Sequence, residues 1–144
     1  MAEQDLANHA KLFPPFHFFA MPVLIANLIW TIVRVVSAGF SIYGLFTILV
    51  ALALILGFFS ARTFALTVQD RVIRLEERLR YQRVLPADLQ PRSDEFTLNQ
   101  LISLRFASDA ELPALARKVL DEKLNERKAI KQLVKNWRPD YLRA

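Results

Sequence analysis

At 144 residues the chain has the length of a single soluble domain, yet 53% of it is hydrophobic and its mean hydropathy is positive, a balance that argues against a wholly soluble fold. It has no cysteine, which excludes a disulfide framework and a thiolate metal site. The formal charge is +5, and basic side chains crowd in after the second of two apolar stretches.

Residues 1–12 read as a polar cytoplasmic tail carrying Glu3 and Asp5. From Phe13 to Val33 the strongly polar side chains are His17 and Asn27, and from Phe40 to Ala61 there is no charge. Each stretch is about 20 residues, enough at ~1.5 Å per residue to cross a ~30 Å hydrocarbon core. The apolar run is too long and its leading tail too acidic for a cleaved signal. The pattern therefore predicts two membrane spans, over about 13–35 and 40–61. The connection "RVVSAGFS" turns at Ser37 to Gly39 and is short enough to make them antiparallel neighbours, a hairpin over 13–61. Arg34 alone is basic in that connection, whereas Arg62, Arg71, Arg74, Arg78 and Arg80 follow the second span. Such an asymmetry puts both termini in the cytoplasm.

Within the spans, Pro22 removes the donor for the Phe18 carbonyl and predicts a kink. Asn27 falls mid-membrane, where its amide needs a partner on the other helix or on a second copy. Ala53, Gly57 and Ala61 recur every four residues and offer a smooth face for close helix packing. Neither span holds a carboxylate, the group a proton relay or coupled transporter would use. His9 and His17 flank the start of the first span; with no third ligand nearby they read as interfacial side chains rather than as a metal pair.

Residues 62–144 read as a cytoplasmic helical domain. Val68, Val72, Leu75 and Leu79 are spaced as a heptad seam, extended back to Ala65. Asp70 with Arg74 and Glu76 with Arg80 form i,i+4 pairs on the expected wet side, which also takes Glu77. The second span is expected to continue as one helix and end before Pro86, its seam docking the rest of the domain or another copy. "TLNQ" at Thr97 is a capping box opening a helix through Leu101 and Leu104; "SDAE" at Ser108 repeats the signal. Asn125 could cap a last helix carrying Ile130, Val134 and Trp137. Arg105, Ser108, Asp109 and Glu111 meet at a helix junction, where Arg105 is expected to pair with a carboxylate. Lys128, Lys131, Lys135 and Arg138, with Trp137, suggest a basic foot on anionic lipid headgroups; nucleic acid is the less favoured reading of the same charges.

The stretches "NHAKLFPPFHFF", "QDRVIRLEERLR", "LISLRFASDAELPALA" and "IKQLVKNWRPDYLR" resemble, in order and over nearly the whole chain, a family of small bacterial membrane proteins of unknown function. "LRFASDAEL" is the most specific piece. The resemblance implies an inner-membrane location and brings no activity.

The expectation is an all-α protein, a two-helix transmembrane hairpin followed by a cytoplasmic helical bundle. No nucleophile–base pair, phosphate loop or cofactor site is visible, so a non-enzymatic adaptor or accessory subunit that self-associates or joins a larger membrane complex is favoured. A small channel- or transporter-like oligomer is the alternative, and an enzyme on a lipid-borne substrate comes third.

Overall fold

The computed structural model describes residue 6 and residues 12–141, and every regular element among them is helical. Helix α1 spans Met21–Ala38, α2 Ile42–Val84, α3 Leu98–Leu104, α4 Leu112–Asp121 and α5 Arg127–Leu133. Pi-helical turns over Pro15–Ala20 lead into α1, and a 3-10 segment, Gln90–Glu95, precedes α3. The chain divides into two compact units, Leu12–Leu66 and the part from Thr67 onward, so the division falls inside α2, between Leu66 and Thr67.

In the first unit the winding widens just before Pro22, a residue with no N–H to give. The Met21 N–H donates to the Phe16 carbonyl, five residues back, so the expected disturbance takes the form of π turns. His17 Nδ1 lies 2.9 Å from the Phe13 carbonyl, and His9 lies outside the described residues. Gly39, at φ 88°, makes the turn after α1. The Ser41 hydroxyl then accepts the Gly44 N–H at 3.0 Å and caps α2.

Gly44 matters for a steric reason: a Cβ there would lie 2.7 Å from Val35 Cγ2. At the other end the Arg62 guanidinium lies 5.5 Å over the Phe16 ring. These two contacts make α1 and the first part of α2 an antiparallel hairpin. Its close packing uses Gly44 and Ala51, which are buried, whereas Ala53, Gly57 and Ala61 face outward. Both helices are long and apolar enough to cross a membrane, and Trp30, Phe46 and Leu56 are each 64% exposed.

In the second unit α2 runs on to Val84 and stops before Pro86, as its patterning predicts. The face it buries differs from the expected one. Ile73, Tyr81 and Leu85 are buried together with Glu77 and Arg80, while Val68, Val72, Leu75 and Leu79 are 49–61% exposed. Among the described residues the heptad seam therefore stays largely exposed, and Glu77 is buried. The winning face is the one with the larger contacts: Tyr81 meets Phe96 edge to face at 5.2 Å and joins Leu101, Leu104, Leu112, Val119 and Ile130 in one core. The two i,i+4 pairs do not form either. Asp70 reaches Arg127 at 3.8 Å, and Arg80 turns to Glu77 and Asp109.

Helix α3 packs against α4 and α5. Its capping box is present in both directions, the Gln100 N–H to the Thr97 hydroxyl and the Thr97 N–H to the Gln100 side chain. The second box does not form: α4 begins after Glu111 with no side-chain cap. The Glu111 carboxylate instead accepts the N–H groups of Lys135 and Asn136 at 3.3 and 3.2 Å. Asn125 is likewise diverted, accepting the Thr97 hydroxyl at 2.7 Å, while uncapped Glu126 precedes α5. Helix α5 ends at Leu133, and the chain after it runs extended past Ala107, bridged to it at Trp137. The Ser108 N–H donates to the Asn136 carbonyl and the Arg138 N–H to the Phe106 carbonyl.

Candidate functional site

The chemically richest place among the described residues is a buried charge cluster where α2 meets residues 105–109 and 138–140. Arg80 is its hub. Its Nε donates to Asp109 Oδ1 at 2.7 Å, its Nη1 to Glu77 Oε2 at 3.2 Å and to the Arg105 carbonyl at 3.4 Å, and its Nη2 to the Ala107 carbonyl at 2.7 Å. All three guanidinium nitrogens are thus engaged, which is the condition for burying an arginine.

Glu77 comes one turn earlier on the same face of α2. Its Oε2 faces Arg80, and its Oε1 lies 3.6 Å from Arg138 Nη1. Burial strips the carboxylate of water and raises its pKa above the ordinary glutamate value, against the pull of Arg80, Arg138 and Arg105. Tyr81, fully buried beside it, has its hydroxyl pushed up by burial and then by the Glu77 charge. That hydroxyl makes no hydrogen bond among the described residues. Arg105 is buried too, pairing with Asp140 at 3.3 Å, and its guanidinium lies 4.5 Å over the Phe106 ring.

A cleft of about 550 Å³ opens beside this cluster, lined by Glu77, Leu79, Arg80, Arg83, Arg138 and Tyr141 among others. Each oxygen of Glu77 faces an arginine, Oε2 toward Arg80 and Oε1 toward Arg138, so the carboxylate is engaged in ion pairs at the edge of this cleft. No group of three His, Asp or Glu side chains that could hold a metal ion occurs among the described residues.

The structure gathers some expected site residues and scatters others. Arg105, Asp109 and Arg138 come together around Arg80. Ser108 Oγ is buried without a hydrogen bond among the described residues, and Glu111 serves the backbone after α5. The basic stripe is taken apart because α5 is short. Lys128 and Lys135 are exposed, but Lys131 lies 5.2 Å over the Phe106 ring and Trp137 stacks tilted on that ring at 4.8 Å. Arg138, though more than half exposed, reaches toward Glu77 at 3.6 Å, and the Trp137 ring packs against the core. Arg80, Glu77 and Asp140 were not foreseen as site residues. Their one signal was the Glu77–Arg80 spacing on a face that also carries Ile73 and Tyr81.

In the apolar unit Asn27 is exposed and makes no hydrogen bond among the described residues; with Trp30, Thr31, Arg34 and Thr47 it lines a cleft of about 370 Å³.

The model of a family of unknown function, DUF6526, matches residues 1–144. No curated protein and no solved structure matches the chain.

Proposed function

The chain belongs to this family of unknown function, and from its geometry we propose a non-enzymatic adaptor or accessory subunit, integral to the bacterial inner membrane, that presents a helical interaction surface in the cytoplasm. The observation that carries this reading is the exposed apolar row Val68, Val72, Leu75 and Leu79 on α2, since apolar rows of this kind mark protein contacts. The large exposed apolar side chains of Leu12–Leu66 support insertion, with lipid as the solvent of both helices. The arginines that follow Ala61 support cytoplasmic termini. The mutual pairing of Glu77 and Asp109 with Arg80 and Arg138 favours an architectural use of that cluster over catalysis.

The test combines location with assembly. The protein should stay with membranes through an alkaline wash, and a reporter fused after Ala144 should report the cytoplasm. In mild detergent, Leu75→Asp should shrink the native complex while leaving the helical unit protease-resistant. A soluble protein, or an unchanged complex, defeats the reading.

A second reading, a small channel-like oligomer, is favoured by one observation, the exposed amide of Asn27 in a polar cleft of an otherwise apolar unit. Bilayer conductance lost in Asn27→Leu would select it.

A further inference from the structure

The faces of α2 divide along heptad lines. With Ala65, Val72 and Leu79 at position a, Val68 and Leu75 fall at d. The side chains that bury against their own unit, Ile73, Glu77, Arg80 and Tyr81, then occupy positions b, f, b and c. What the fold leaves exposed is thus the a/d row, flanked at g by Arg71 and at e by Glu76, both exposed. Those four positions are the ones a two-stranded coiled coil uses.

We propose that this row is the contact between two copies of the chain, paired parallel and in register, with Arg71 of each copy facing Glu76 of the other. Three observations choose this occupant. First, the central heptad places β-branched Val72 at a and Leu75 at d, the combination that favours two parallel strands. Second, position g meets the e position five residues further along a parallel partner, which sets Arg71 against Glu76 twice; an antiparallel pair would oppose Arg71 to Arg71. Neither residue has an ion pair among the described residues, so both charges are free to be used. The next g position, Arg78, would meet Arg83, but Asp94 holds the Arg78 guanidinium at 2.9 Å within its own chain.

Third, the row is too short to dimerise unaided, because fewer than three heptads are marginal in water. Two copies inserted with one topology leave the membrane at the same residue and in the same direction, which raises their local concentration and aligns their registers. In this respect the proposal rests on the membrane reading.

Single cysteines in the otherwise cysteine-free chain provide the test, in native membranes treated with a mild oxidant. Val72→Cys and Leu75→Cys should each yield a covalent dimer of twice the chain mass, since facing a and d positions approach disulfide range. Arg74→Cys, exposed at position c, should not. In the Leu75→Cys background, Arg71→Glu or Glu76→Arg should lower the dimer yield, corresponding to a roughly 10-fold weaker association, and the two together should restore it. Trypsin resistance of the part beyond Thr67 checks that each variant is folded. An adduct of another mass, equal cross-linking through Arg74→Cys, or indifference to the charge swaps would each overturn the proposal. Alkaline extraction of the same samples separates the two readings. A soluble, cross-linked dimer keeps the pairing and removes the membrane; a membrane-bound monomer does the reverse.

Discussion

Arg80 Nη1 lies 3.2 Å from Glu77 Oε2, one turn apart on α2, and both side chains are about 5% exposed. An ion pair so deeply buried is held by its surroundings as much as by its own attraction, because each charge has given up its water. Here the surroundings are Asp109, Arg138 and the carbonyls of Arg105 and Ala107. Removing one partner strands the other, so Arg80→Met should destabilise the unit by about 3–5 kcal/mol. Arg80→Lys should recover only part of this, since an ammonium cannot reach Asp109, Glu77 and two carbonyls together. Replacing both charges, Arg80→Met with Glu77→Leu, should be milder than Arg80→Met alone. Urea unfolding followed by protease resistance measures all three.

Glu77 also makes stability depend on pH. Its folded pKa is raised, chiefly by burial, above the ordinary value of 4.5. The folded state therefore binds the proton more tightly than the unfolded state does. This group's contribution is fully present below pH 4.5 and is lost as pH rises through the folded pKa. Glu77→Gln has no such proton. Its melting temperature relative to the parent should be higher at pH 7 than at pH 4; a gap independent of pH would show that the pull of the arginines fully offsets the burial penalty and leaves the pKa unshifted.

On α2, Leu75 and Tyr81 belong to opposite environments, 61% and 0% exposed. Leu75→Asp should change the intrinsic stability of the helical unit by no more than about 0.5 kcal/mol, as surface substitutions do. Ile130→Ala, in the core, should cost about 2–5 kcal/mol. Equal protease sensitivity of the two variants would mean that the row at Leu75 is docked after all.

The hairpin makes a parallel prediction with two glycines. A methyl at Gly44 would meet Val35 at 2.7 Å, whereas one at Gly57 meets nothing within 4 Å. Gly44→Ala should therefore lower thermal stability in detergent, by about 1–3 kcal/mol if Val35 cannot retreat. Gly57→Ala should leave it unchanged or slightly improved, since alanine is the better helix former.

What the residues announced in advance was mostly local. The Thr97–Gln100 cap was legible because its partners are three residues apart, and the further bonds of these side chains, to Asn125 and to the Leu124 carbonyl, leave both capping contacts in place. Ser108–Glu111 has the same local pattern and fails, because Glu111 finds two backbone N–H groups more than twenty residues away. The long α2 and its end before Pro86 were visible in apolar length and in a single breaker. Its inward face was not. Spacing marks Val68, Val72, Leu75 and Leu79 as one side of a helix, but it cannot say whether that side meets the chain's own core. The face that does carries Glu77 and Arg80, which any polarity pattern assigns to water. Their burial depends on Asp109, Arg138 and two carbonyls that only the folded chain brings within reach. The charge cluster was therefore illegible for the same reason that it is stable.

The bridge between Ala107 and Trp137 also orders events during synthesis. Arg138 and Asp140, the counter-charges of Glu77 and Arg105, are added well after the groups they neutralise. At about 5–20 residues per second, Glu77 waits on the order of several seconds for Arg138, with Arg80 beside it on the growing α2. Until residues 136–140 arrive and lie down along 106–108, the helical unit lacks the strand-like clasp that brings Arg138 and Asp140 to its cluster. Completion of the cluster therefore waits on the segment after α5, whatever is already folded before it.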